Sequence, residues 1–141
     1  MFKEPYQKPT NSKMVLVVED SPVQALTLIK LLEKQGLGVL CAPNGKSGLS
    51  MARQYLPDLI ILDIQMPEMN GFEVCRCLKQ DPETVDIPIV LLTAHAHPEM
   101  LREGLEGGAV DFIPKDAFSD LVLLETLRQL KFISKEEAIS T

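Results

Sequence analysis

The stretch Leu59-Ile60-Ile61-Leu62-Asp63-Ile64-Gln65-Met66-Pro67 decides the architecture of this chain. Its four leading aliphatic residues lack polar alternation, as a strand buried on both faces requires, and an acid stands at the end of the run. Three other runs are built the same way. Met14–Val18 leads into Glu19-Asp20, Ile89–Leu92 into Thr93, and Val110-Asp111-Phe112-Ile113 through Pro114 into Lys115. Strands of this kind belong in a parallel sheet with helices on both faces, whose ligands bind beyond the carboxyl ends of the strands. The runs therefore deliver acids, a hydroxyl and an ammonium to one rim.

The segments between the runs supply the helices. Residues 1–12 carry Pro5 and Pro9 and form a flexible N-terminal arm. After a first strand at about Met14–Val18, Ser21 is the N-cap and Pro22 the first residue of a helix reaching about Lys34, which Gly36 stops. A second strand spans Leu37–Ala42, and Pro43-Asn44-Gly45 leads into a helix from about Lys46 to Tyr55. The third strand carries Asp63. A third helix covers Phe72–Gln80, with Phe72, Cys75 and Leu78 on one stripe. A fourth strand spans Ile87–Leu92. The fourth helix, Pro98 to about Glu106, contains Gly104 and ends at Gly107-Gly108, so its intrinsic helicity is low. A fifth strand, Val110–Ile113, precedes a helix from Ser119 to about Phe132, and residues 134–141 form a tail. Strand–helix alternation repeated in this way implies right-handed crossovers and one doubly wound α/β domain over residues 13–133.

Bulk properties narrow the function. The 141 residues are 45% hydrophobic, which excludes a disordered chain, and no apolar run nears the roughly 20 residues of a membrane span. The N-terminus lacks the apolar core of a secretion signal, so the expected compartment is the cytoplasm. A net charge of −6 argues against direct nucleic-acid binding, which needs clustered Lys and Arg. The three cysteines lack zinc spacing and are expected to be reduced, structural thiols.

If the first and third strands are neighbours, Glu19, Asp20 and Asp63 converge. Clustered carboxylates raise one another's pKa unless a cation lies among them. Mg²⁺ suits such a site, because it takes oxygen ligands and is commonly held by one or two carboxylates together with a phosphoryl group. The remaining groups suit phosphoryl transfer. A carboxylate can take the phosphoryl group covalently, and the three equatorial oxygens can be met by the metal, the Lys115 ammonium and the Thr93 hydroxyl. Backbone N–H groups after Asp63 and Thr93 can add donors, and small Ala94 leaves the approach open.

The strings Val17-Val18-Glu19-Asp20-Ser21, Leu62-Asp63-Ile64-Gln65-Met66-Pro67-Glu68-Met69-Asn70-Gly71, Leu92-Thr93-Ala94 and Phe112-Ile113-Pro114-Lys115 together resemble the receiver domain of two-component response regulators. The resemblance spans about residues 13–132. It implies a flavodoxin-like five-stranded sheet in the order 2-1-3-4-5 with five helices. It implies Asp63 as phospho-acceptor and Mg²⁺ (or Mn²⁺) held by Asp20, Asp63 and the backbone carbonyl of Gln65, with Glu19 acting through a bound water. Thr93 and Lys115 would contact the phosphoryl group, Phe112 would be the aromatic switch residue, and Ala94, Gln65 and His95 would modulate the site. The phosphoryl donor would be a sensor histidine kinase or a histidine phosphotransfer protein. The domain would catalyse only its own phosphorylation and dephosphorylation. Its fourth helix, fifth strand and fifth helix would form the surface for a downstream protein target or a homodimer. No membrane partner is implied.

Two departures stand out. Family members often have proline directly after the lysine, with a cis bond, whereas here Asp116 follows Lys115 and Pro114 precedes it. The loop is therefore either built differently or keeps a strained peptide. Phe112 stands where tyrosine is frequent; without a hydroxyl its buried rotamer costs less, which favours an inward ring even without phosphate. Structural readings stand beside these roles: Thr93 as an N-cap, Lys115 as a surface lysine, His95 and His97 as solvated loop residues. The fifth helix is apolar nearly all round, which implies cover on more than one side. Two other function classes remain, a phosphorylation-independent scaffold and a phosphatase of the haloacid dehalogenase type. The latter wants a second acid where Gln65 stands. A flavodoxin-like cofactor binder is disfavoured, since Glu19-Asp20 would repel phosphate in the absence of a metal.

Overall fold

Strand and helix alternate along the chain as β1 (Met14–Val18), α1 (Pro22–Lys34), β2 (Gly38–Ala42), α2 (Gly45–Tyr55), β3 (Leu59–Asp63), α3 (Gly71–Gln80), β4 (Ile89–Thr93), α4 (Pro98–Glu106), β5 (Asp111–Pro114) and α5 (Ser119–Gln129). The computed structural model describes residues 13–94, 98–109, 111–116 and 119–133. The expected arm, the tail, His95, His97 and Val110 lie outside the described residues. All strand pairs are parallel, and the order is β2-β1-β3-β4-β5, as the resemblance implied. Among the described residues no helix is long and apolar enough to cross a membrane.

Strand side chains alternate between faces, and the sheet uses both. Met14, Leu16, Val18, Ile60, Leu62, Ile89 and Leu91 pack with Leu49 and Ala52 of α2 and with Phe72, Val74, Cys75 and Leu78 of α3. Val15, Val17, Leu59, Ile61, Val90, Leu92 and Ile113 pack on the opposite face with Leu32 of α1 and with Leu123 and Leu127 of α5. Such two-sided burial explains why the strands read as unbroken apolar runs.

Several boundaries differ from expectation by a few residues, each for a local reason. Leu37 donates to Leu32 O to close α1, so β2 begins at Gly38. Asn44 accepts from Ser47 N–H and Asn70 from Glu73 N–H, so α2 and α3 each start at the glycine before the expected residue. Pro88 has no N–H, and β4 starts after it and runs one residue further, to Thr93. Helix α5 stops at Gln129 rather than near Phe132. Lys131 adopts a left-handed φ of 66°, and Phe132 N–H and Lys131 N–H return to Leu127 O and Arg128 O, forming a Schellman turn. Ile133 is nonetheless buried beyond that turn, which is why the apolar pattern outlasts the helix.

The glycine of α4 has a packing reason as well as a cost in helicity. A Cβ on Gly104 would lie 2.7 Å from Leu91 Cδ1, 3.3 Å from Phe72 and 3.4 Å from Phe112, so the α4 backbone rests directly on the sheet and on Phe112. Gly71 is tighter still. A Cβ there would lie 2.7 Å from Asp63 O and 2.8 Å from Ile64 Cα, both backbone atoms with no rotamer to yield. Gly71→Ala is therefore expected to cost about 1–3 kcal/mol through overpacking. A urea titration should show a lower midpoint at unchanged slope, whereas an unchanged midpoint would mean the loop relaxes freely.

Candidate functional site

The chain goes from β1 outward to β2, then crosses back to place β3 on the other side of β1. The loops after β1 and β3 diverge there and leave a crevice at the carboxyl ends. Val18 pairs with Leu62, so Glu19 and Asp63 follow side by side. Both are buried, while Asp20 is exposed at the mouth. One oxygen from each of Glu19, Asp20 and Asp63 falls in a group within 4.8 Å of one another, a spacing that one hard cation can bridge. The expected convergence of these acids is thus present.

Lys115 reaches this cluster from the end of β5. Its Nζ lies 2.9 Å from Glu19 Oε1 and 3.1 Å from Asp63 Oδ2, and it also donates to Gln24 Oε1 of α1. Its backbone N–H donates to Thr93 O at 2.6 Å, tying the loops after β4 and β5 together. No described peptide bond is cis, so the Lys115–Asp116 bond is trans and the loop is built without the strained peptide. Glu19 Oε2 accepts from Ser21 N–H at 3.2 Å and Asp63 Oδ1 from Gln65 N–H at 3.2 Å.

Alternation puts the charged groups and Phe112 on opposite faces of the sheet. Glu19, Asp63 and Lys115 continue the rows of Val17, Ile61 and Ile113, on the face toward α1 and α5. Thr93, fully buried, continues the row of Leu91, whose register partner is Phe112, on the α4 face. Phe112 is half-buried and packs against the core there. Ala94 and Gln65 are exposed at the mouth, and Gln65 Oε1 accepts from Ala94 N–H at 3.3 Å.

The acids do not share their charge evenly. Burial, the largest cause, pushes the Glu19 carboxyl up to about 6; the Lys115 hydrogen bond opposes this and the Asp63 carboxylate adds to it. All three cysteines are free thiols, and burial pushes Cys41 and Cys75 up, away from thiolate, as structural roles require. Three contributors escaped sequence reading. Gln24 was one polar residue among several on α1; its place three residues after the cap was the available signal. Gly71 stands in sequence only as the end of a matching string, and Gln65 only as a modulator or a missing acid, with no sign of what either one touches.

The family described as "Response regulator receiver domain" matches residues 15–128. This chain belongs to the response regulator receiver family. PilH of Pseudomonas aeruginosa is 38% identical over 109 residues, covering 77% of this chain and 90% of PilH. Response regulator PleD of Caulobacter vibrioides is 42% identical over 119 residues, which is 84% of this chain but only 26% of PleD, so the chain spans about a quarter of that relative. The solved receiver domain of sensor histidine kinase PA1611 from Pseudomonas aeruginosa superimposes with a TM-score of 0.76 at 25% identity, covering 84% of this chain and 96% of that one. That structure has a magnesium ion coordinated in its active-site cleft. Receiver domains are signalling rather than metabolic domains, they interact with histidine kinases and downstream effectors, and they bind Mg²⁺ at an acidic pocket.

The raised Glu19 carboxyl makes stability depend on pH. Folded Glu19 keeps its proton up to about 6 against 4.5 unfolded, so the folded state binds more protons in that interval. Without metal, stability from this group is full below 4.5, falls as pH rises through about 6, and is level above. Glu19→Gln should remove that fall and leave the protein more stable than wild type at pH 7. Urea midpoints at pH 5 and 7 for both proteins check this; equal pH dependence in the two would contradict it.

Proposed function

We propose that this domain is a phosphorylation-activated switch in which Asp63 accepts a phosphoryl group in a magnesium-dependent reaction. The observation that carries this is the Lys115 ammonium within 3.1 Å of Asp63 and 2.9 Å of Glu19, in the same crevice as Asp20. Glu19, Asp20 and Asp63 fit a hard divalent cation, which the Gln65 backbone carbonyl would also help to hold. Such a cation, when bound, neutralises charge on the transferring group.

The chain's own residues do the rest. An Asp63 oxygen forms the new bond to phosphorus as the P–N bond of a donor phosphohistidine breaks; its ring, already protonated on the other nitrogen, keeps the bonding pair and leaves as neutral imidazole. Lys115 already points at Asp63 and can turn from the carboxylate to a phosphoryl oxygen. Thr93 Oγ1 and Ala94 N–H donate to the oxygen on the α4 side. The donor class is a sensor histidine kinase or a histidine phosphotransfer protein, and the compartment is the cytoplasm.

The output follows from alternation. Thr93 shares a sheet face with Phe112, so drawing Thr93 toward the phosphoryl group opens space that the ring can fill. The Gly104 backbone lies over that ring, and α4 is short and intrinsically weak, so it can reposition at low cost. The α4-β5-α5 surface then engages a protein target or a second copy, with Leu105 and Leu121 exposed there.

Incubation with Mg²⁺ and acetyl phosphate should add one phosphoryl group by mass, and Asp63→Asn should show none. Thr93→Ala and Lys115→Met should each slow labelling roughly 10- to 100-fold, the worth of a charge-assisted hydrogen bond. An unlabelled wild-type protein would point instead to a phosphorylation-independent scaffold.

A further inference from the structure

The register of β3 against β4 places Asp63 beside Leu92, so two residues on, Gln65 and Ala94 face each other across the mouth of the crevice. The Gln65 side chain spans that gap and its Oε1 accepts from Ala94 N–H at 3.3 Å. At the same time the Gln65 backbone N–H donates to Asp63 Oδ1 at 3.2 Å. One residue thus touches the acceptor carboxylate with its backbone and caps the donor of the opposite loop with its side chain.

We propose that the Gln65 side chain is a resting-state latch that occupies the subsite of a phosphoryl oxygen. Its amide oxygen is a neutral acceptor on the N–H that phosphorylated Asp63 would use. Phosphoryl transfer must therefore expel it, and the loops after β3 and β4 stay bridged until it does. This is a role distinct from the one expected of the backbone carbonyl of the same residue, as a ligand to the metal. It rests on the function proposed above, since without phosphoryl transfer the subsite has no second occupant. The exchange is one of occupants and breaks no covalent bond. A net hydrogen bond between such groups shifts an equilibrium roughly two- to tenfold, and that sets the size of the effect.

Gln65→Met keeps the length of the side chain and removes the acceptor; Gln65→Glu keeps an acceptor of equal reach. In the full chain without metal, the Ala94 amide should exchange with deuterium roughly two- to tenfold faster in Gln65→Met than in wild type, and Gln65→Glu should restore its protection. With Mg²⁺ and beryllofluoride, a stable mimic of the phosphoryl group, Gln65→Met should saturate at a roughly two- to tenfold lower beryllofluoride concentration. Unchanged Ala94 exchange in Gln65→Met, or beryllofluoride binding no tighter than wild type, would overturn the latch. Failure of the wild-type protein itself to bind beryllofluoride, with Ala94 exchange responding as expected, would instead overturn the phosphoryl-acceptor function and leave only a loop bridge.

Discussion

The contact of the Lys115 ammonium with two buried carboxylates, Glu19 and Asp63, sets the terms for the rest of the molecule. Two such acids taken out of water repel each other and lose hydration, and removing their shared cation would leave charge uncompensated in the interior. The fold accepts the arrangement because the acids sit at the rim of the sheet, with Asp20 opening the cluster to solvent. Even so, compensation is incomplete, as the raised Glu19 carboxyl shows. An anionic pocket with one internal cation and a residual preference for more positive charge is poised for a second cation, and then for the anionic group that a cation pair attracts.

The sheet distributes these duties by parity. Along β1, β3 and β5 the residues that end up facing α1 and α5 terminate in Glu19, Asp63 and Lys115, whereas β4 ends one residue out of phase, so that Thr93 looks toward α4. A single residue of offset therefore puts the charged groups and Thr93 on opposite faces of the sheet. On the proposed function the route outward is short: Thr93 lies in the row of Leu91, Leu91 is paired with Phe112, and Gly104 brings the α4 backbone onto the ring. Helices α1 to α3 carry side-chain caps at Ser21, Asn44 and Asn70.

The architecture was open to reading because two-sided burial leaves a plain mark, the unbroken aliphatic run, and because each run ended in a residue with chemistry. Gly36 was legible as a stop since only glycine sits easily at its left-handed φ; Lys131 was not, since a lysine gives no such sign and the apolar pattern runs on through Phe132 and Ile133. The acids, Thr93 and Lys115 could be found from strand ends alone. Gln24, the clearance at Gly71 and the bond from Gln65 to Ala94 could not, because each depends on which loops face each other, and that follows from strand order rather than from local pattern. The low helicity of α4 was seen in Gly104, but its reason, the Leu91 and Phe112 side chains beneath it, is tertiary.

Calorimetric titration of the metal-free protein with Mg²⁺ tests the central claim most directly. One ion should bind per chain, with proton release at pH 6 that vanishes at pH 8 as Glu19 becomes fully ionised. Asp20→Ala should abolish the heat of binding. Absence of any Mg²⁺ binding at tens of millimolar, or binding indifferent to Asp20, would contradict the account.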